Sequence, residues 1–139
     1  MRNVYIIVIL IGLVGCRNKV NKLDLPHLNG YWEIKEVTFP DGSKKEYTVN
    51  TSIDYIQVKE HEGFRKKVQP NFNGTYVTSN DAELFTIYEN EGVFNLNYKT
   101  DLSEWHEKII SLSENKFIVI SEENIKYHYR RFEPINLEQ

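Results

Sequence analysis

Val93-Phe94-Asn95-Leu96-Asn97-Tyr98-Lys99 changes from apolar to polar at nearly every step. Phe94, Leu96 and Tyr98 fall on one side, Asn95 and Asn97 on the other. A period of two is the signature of a strand with one buried face, because successive side chains point to opposite sides of a sheet. The same reading extends in both directions. Upstream, run 84–88 breaks at Asn90-Glu91-Gly92, and run 72–78 stops at Ser79-Asn80-Asp81. Run 64–68 precedes Pro70-Asn71. Run 53–60 sets Tyr55, Gln57 and Lys59 against Ile56 and Val58, and breaks at Glu62-Gly63. Run 31–39 stops at Pro40-Asp41-Gly42, and 45–51 reads as a weak strand or a loop. Downstream, run 105–112 ends at Ser113-Glu114-Asn115. Run 117–120 is apolar on both faces, and Glu122-Glu123-Asn124 turns the chain into run 125–132.

Eight or nine short strands at regular spacing, joined by tight turns, describe an antiparallel meander. Nothing shows a helical stripe, although 101–105 has room for one short turn. A meander of this length must hide its edges, and closing into a barrel removes them. The expectation is therefore an all-β fold: a single antiparallel up-and-down barrel over residues 28–134, with a tail at 135–139. An eight-stranded barrel holds packed side chains or one small ligand. Nine Tyr, seven Phe and two Trp suit strands. Within run 31–39, Trp32 and Ile34 share one face while Val37 and Phe39 take the other. A bulge near Lys35-Glu36 would bury both sets.

The start of the chain is of a different kind. Met1-Arg2-Asn3 is positively charged, and 4–14 is almost unbroken apolar sequence. That run is too short to span a bilayer, which takes about 20 residues, but it suits the core of an export signal. It ends in Leu13-Val14-Gly15-Cys16, which is similar to a lipobox, the processing site of bacterial lipoproteins. The similarity implies cleavage before Cys16, with residues 1–15 a signal peptide. It also implies lipid on the Cys16 thiol, the sole cysteine, and a membrane partner through that lipid. Stable anchoring takes two lipid signals, which the diacylglycerol of such a cysteine meets. Residues 16–27 read as the lipidated cysteine and a polar, flexible tether. Some surface-exported lipoproteins resemble one another in carrying acidic residues just after the cysteine. Arg17-Asn18-Lys19 has none, which favours an outer-membrane protein facing the periplasm.

The body resembles the lipocalin-like domains of small bacterial lipoproteins. The resemblance runs from Leu28-Asn29-Gly30-Tyr31-Trp32, similar to the Gly-x-Trp start of the first strand, through Gly74-Thr75-Tyr76 and run 110–119, to Tyr127-His128-Tyr129-Arg130-Arg131-Phe132. In that family the first-strand Trp sits at the closed end of the barrel under a late Arg. The resemblance implies this structural role for Gly30 and Trp32, with Arg130 or Arg131 as the partner. Parity places Tyr127, Tyr129 and Arg131 on the apolar-richer face, so Arg131 is the expected one. A lipocalin-like barrel implies binding of a small apolar or amphipathic ligand. The alternative is a non-enzymatic interaction, inhibitor or accessory module with a filled barrel and an envelope protein as partner.

The remaining chemistry is sparse. The net charge is −3, and the basic residues are scattered apart from Arg65-Lys66-Lys67 and Arg130-Arg131, so nucleic acid is not expected as a partner. His27, His61, His106 and His128 lack zinc spacing. His106-Glu107 is similar to the start of a His-Glu-x-x-His metal helix, but Ile110 stands where the second His belongs. No Gly-x-Ser-x-Gly elbow exists. The reading is a non-enzyme with no metal and no cofactor, whose Asp and Glu lie at turns and solvent faces. Tyr55, Tyr76, Tyr98, Trp105, Tyr127 and Tyr129 are the candidate pocket-lining residues, since Tyr joins apolar area to a hydroxyl. The plainer expectation is that they fill the barrel.

Overall fold

The computed structural model describes residues 19–134. Ten strands follow one another: β1 (Gly30–Thr38), β2 (Lys44–Glu46), β3 (Ile53–Lys59), β4 (Glu62–Pro70), β5 (Tyr76–Thr78), β6 (Glu83–Asn90), β7 (Val93–Lys99), β8 (Glu104–Leu112), β9 (Lys116–Ser121) and β10 (Lys126–Arg131). Eight of them form a closed antiparallel barrel in the order β1, β3, β4, β6, β7, β8, β9, β10, with β10 returning to β1. The short β2 and β5 stand outside this ring. β2 pairs with Glu36–Thr38 of β1, and β5 pairs with Val68–Pro70 of β4. Both therefore extend the same rim, the end away from Gly30. The expected strands at 45–51 and 72–78 shrink to these two three-residue pieces.

Two bulges reconcile the sequence pattern with the barrel. In β1 the pairing steps Trp32↔Arg131, Ile34↔Tyr129 and then Val37↔Tyr127, with the register shifting between Ile34 and Glu36. Lys35 is the extra residue, so Trp32, Ile34 and Val37 all face inward, and Val37 is buried. Phe39 lies beyond the strand and is partly exposed. A second shift, between Ile109 and Ser111 of β8, turns Ile110 outward and brings Leu112 back against the core. Without these insertions each strand would turn half its apolar residues to water.

Over residues 22–27 the expected flexible tether is replaced by an ordered element. Residues 22–28 form a 3-10 helix, Lys22–Leu28, capped by the Asn21 side chain, which accepts from the Leu23 N–H. Leu25 and Leu28 are three apart, and in a 3-10 helix such residues eclipse one another. Both are buried, together with Val20, and they plug the Gly30 end of the barrel. Pro26 suits this tight, short turn. A period of three matches neither strand nor α-helix, which is why the segment read as featureless. Cys16, the signal peptide and the 135–139 tail lie outside the described residues.

Candidate functional site

The two ends of the barrel differ in construction. At the Gly30 end, Trp32 is fully buried and its Nε1–H donates to the Leu28 carbonyl at 2.8 Å. Phe117 meets the indole edge-on, with ring centroids 4.6 Å apart. Arg131 lies over the other side, its Cζ 4.2 Å from the ring centroid. The guanidinium donates to three carbonyls: Asn29 from Nη1 at 2.9 Å, His27 from Nη2 at 2.7 Å and Glu114 from Nε at 2.7 Å. One side chain thus ties the 3-10 helix, the start of β1 and the β8–β9 turn together. Gly30 has φ +123°, and a Cβ there would collide with Arg131 Nη1, so only glycine fits. Arg130 points outward and is exposed.

The opposite end is open and polar. Asp54, Arg65, Lys67 and Glu107 project inward from β3, β4 and β8. They do so by parity alone, because Ile56, Ile109 and the glycine at Gly63 share their faces. Arg65 packs its guanidinium over the Tyr98 ring, 4.6 Å from the centroid. It reaches Glu83 at 3.3 Å and Glu107 at 3.8 Å. Lys67 pairs with buried Asp54 at 2.6 Å. Burial lowers the pKa of Arg65, but Tyr98, Tyr129, Glu107 and Asp54 outweigh it and hold the guanidinium charged. Burial pushes the Glu107 carboxyl up, and Arg65 offsets this only in part.

Above this cluster lies a cavity of about 400 Å³. Half-buried Arg65 and buried Glu107 lie deepest in it, Trp105, Tyr127 and Tyr129 line it, and the exposed side chains of Lys67 and Glu122 lie at its rim with Ser121 and Glu123. Trp105 is stacked on Tyr98, with centroids 5.1 Å apart and planes 5° from parallel. Tyr98 itself is buried beneath and belongs to the core. Burial also drives the Tyr129 hydroxyl far above the ordinary phenol range, so it stays protonated. Among the described residues no group of three or more His, Cys, Asp or Glu is placed to hold a metal ion.

The expected pocket-lining set therefore divides. Trp105, Tyr127 and Tyr129 line the cavity and Tyr98 supports it, whereas Tyr55 and Tyr76 lie on the outer wall. Tyr55 alternates with inward-facing Asp54 and Ile56, so its parity sends it outside. There Tyr31 stacks on Tyr76 at 4.1 Å and tilts against Tyr55 at 4.8 Å. Beside them runs an external groove of about 380 Å³ carrying exposed Val49 and Phe72. Asp54 and Glu107 correct the expectation that acidic residues lie on solvent faces. The signal for Glu107 was present, since it stands between Trp105 and Ile109 on one face.

The family model described as a lipocalin-like domain matches residues 28–119. No curated protein sequence matches the chain. Among solved structures, apocrustacyanin C1 is similar with a TM-score of 0.50 at 12% identity, over 84% of this chain and 69% of that one. A lipocalin-like protein from Bacteroides uniformis aligns with a TM-score of 0.48 at 12% identity, over 76% of this chain and 99% of its own. An uncharacterized protein from Bacteroides eggerthii aligns with a TM-score of 0.48 at 15% identity, with the same coverage. At 12% identity the likeness to apocrustacyanin C1 speaks for the fold alone.

Proposed function

This chain belongs to the family of lipocalin-like domains, and from that premise we propose that it binds a small amphipathic molecule in the open mouth of its barrel, at the bacterial envelope. The observation that carries the reading is the cavity of about 400 Å³ at the end opposite Trp32 and Arg131. It has the size of a small-molecule site and the right mixture of aromatic walls and a few placed polar groups. The closed half is filled by the core, so the ligand sits high in the barrel, with its head among Arg65, Lys67 and Glu107.

Two tryptophans make the test direct. Trp32 is sealed at the closed end and Trp105 lines the cavity, so a ligand-induced change in emission reports on Trp105. An apolar fluorescent dye should bind and quench that emission, and Glu123→Phe, which narrows the rim without adding a tryptophan, should abolish binding without lowering the melting temperature. Dye binding unaffected by Glu123→Phe would remove the reading.

The envelope location rests on Leu13-Val14-Gly15-Cys16. Its support from the fold is positional. Lys19 packs against Gly92 in the β6–β7 turn, at the closed end. Three residues reach about 10 Å at most, so lipid on Cys16 would set the closed end towards the bilayer and the mouth towards water. Mass spectrometry of the membrane fraction should show a lipid-modified peptide beginning at Cys16. An intact leader, or an unmodified Cys16 in soluble protein, would refute anchoring.

A second reading, an interaction module, draws on the external groove, where Val49 and Phe72 are 83% and 78% exposed. Large exposed apolar residues beside a groove are a feature of protein contact sites. Loss of partner capture in Phe72→Ser with dye binding intact would favour it.

A further inference from the structure

The charges around the mouth do not balance. The cavity lining holds two cations, Arg65 and Lys67, which are already engaged. Arg65 lies between Glu83 and Glu107, and Lys67 is 2.6 Å from Asp54. Against these two stand Asp54, Glu83 and Glu107, with Glu122 and Glu123 on the rim. Besides the phenols of Tyr127 and Tyr129, the lining carries one further titratable group, His106, which lies 3.9 Å from Glu122.

Glu107 is the informative member. Its side chain is only 9% exposed, and its single charged partner, Arg65 at 3.8 Å, is beyond hydrogen-bond distance. A carboxylate has room for about four hydrogen bonds. Glu107 therefore faces the cavity with its acceptor capacity largely unused. A buried charge in that state is costly unless something pairs with it. Trp105, Tyr127 and Tyr129 line the same space.

We propose that the mouth takes an amphipathic cation: a protonated amine, or another small organic cation, carried on an apolar body. The proposal rests on the ligand-binding reading above and names the class of ligand. The head pairs with Glu107 and lies against the aromatic walls, where cation–π attraction adds to the ion pair. The body packs on Trp105 and Tyr127. Glu122 and Glu123 raise the local concentration of cations at the entrance. An anionic head meets the reverse: the guanidinium and ammonium groups it needs are taken, and it approaches Glu107 in a site of low dielectric. A neutral hydroxyl donates at most one hydrogen bond to Glu107 and leaves its charge unpaired.

Three probes with the same tail and different heads separate these cases: n-octylamine, n-octanol and octanoate at neutral pH. The full chain is held in zwitterionic nanodiscs, with empty discs as reference, and Trp105 emission is the readout. Octylamine is expected to bind about tenfold more tightly than octanol, and octanoate more weakly than octanol. Glu107→Gln should cut the amine affinity about tenfold and leave octanol unchanged, while Glu123→Gln has a smaller effect in the same direction. If Glu107→Gln fails to fold, the order of the three probes on the unmodified chain decides. Octanoate binding as well as octylamine, or an amine-to-octanol ratio unchanged in a folded Glu107→Gln, overturns the proposal while octanol binding keeps the ligand-binding reading. Failure of all three probes overturns both.

Discussion

Arg131 lies face-on over Trp32 across the β1–β10 seam, its guanidinium carbon 4.2 Å from the ring centroid. The two residues are also direct partners in the ladder, so the contact exists only because the last strand returns to the first. The indole covers the guanidinium on one side, and three carbonyls accept from its N–H groups. Closure of the barrel and closure of its end are thus the same event.

Removing either partner should be felt in stability. Trp32→Ala is expected to cost about 3–5 kcal/mol, the range for deleting a buried aromatic. Arg131→Ala should cost about 2 kcal/mol, from the lost cation–π contact and the carbonyls of His27, Asn29 and Glu114 left without their donor. Trp32→Phe and Arg131→Ala combined should depart from additivity by about 1 kcal/mol in denaturant titrations. Strict additivity would mean that the stacking contributes nothing.

The 3-10 plug makes a prediction about a segment that looks dispensable. Leu28→Ala is expected to destabilise by about 2–5 kcal/mol, because Leu28 is fully buried beside Trp32 and its carbonyl receives the indole N–H. Leu23→Ala, in the same helix but exposed, should fall within about 0.5 kcal/mol. Equal effects in thermal melts would contradict the plug.

Lys35 is the extra residue of the first bulge, and its value is positional. Deleting it would leave Ile34 opposite Tyr129, Glu36 opposite His128 and Val37 opposite Tyr127, a regular ladder with every face kept. Deleting Glu33 instead, in the regular part of β1, would turn Ile34 outward and Lys35 inward. The Lys35 deletion should therefore fold, and the Glu33 deletion should lower the melting temperature far more. Equal losses in thermal melts would show that β1 needs the bulge for more than register.

Glu107 gives stability a pH dependence of definite sign. Burial raises its folded pKa above the ordinary 4.5, so the native state holds the proton more tightly than the unfolded chain. Its contribution is therefore most favourable at or below that value and declines as pH rises through the folded pKa. Asp54, Glu83 and Arg65 act on it from β3, β6 and β4, and they remain in Glu107→Gln. The melting temperature of the unmodified protein minus that of Glu107→Gln should fall between pH 4 and 7. A difference that rises instead would mean that Arg65 stabilises the carboxylate by more than burial penalises it.

Residue alternation alone pointed to the antiparallel meander and the break in β1, and to eight or nine of the ten strands, because a period of two and a turn signal are local facts. Gly30, Trp32 and the late arginine pair were marked by the resemblance to lipocalin-like domains, and local alternation then chose Arg131. It failed where the deciding neighbour is distant in the chain. Nothing in the segment 22–28 announces a plug, since its three-residue period acquires meaning only against a barrel end for Leu25 and Leu28 to cover. Tyr55 and Tyr129 look alike as sequence. The closed sheet sends one to the outer wall and the other to the cavity. Asp54, Arg65 and Glu107 read as ordinary surface charges. Only closure of eight strands placed them together inside, where a low dielectric and a shared cavity turned scattered charges into a site.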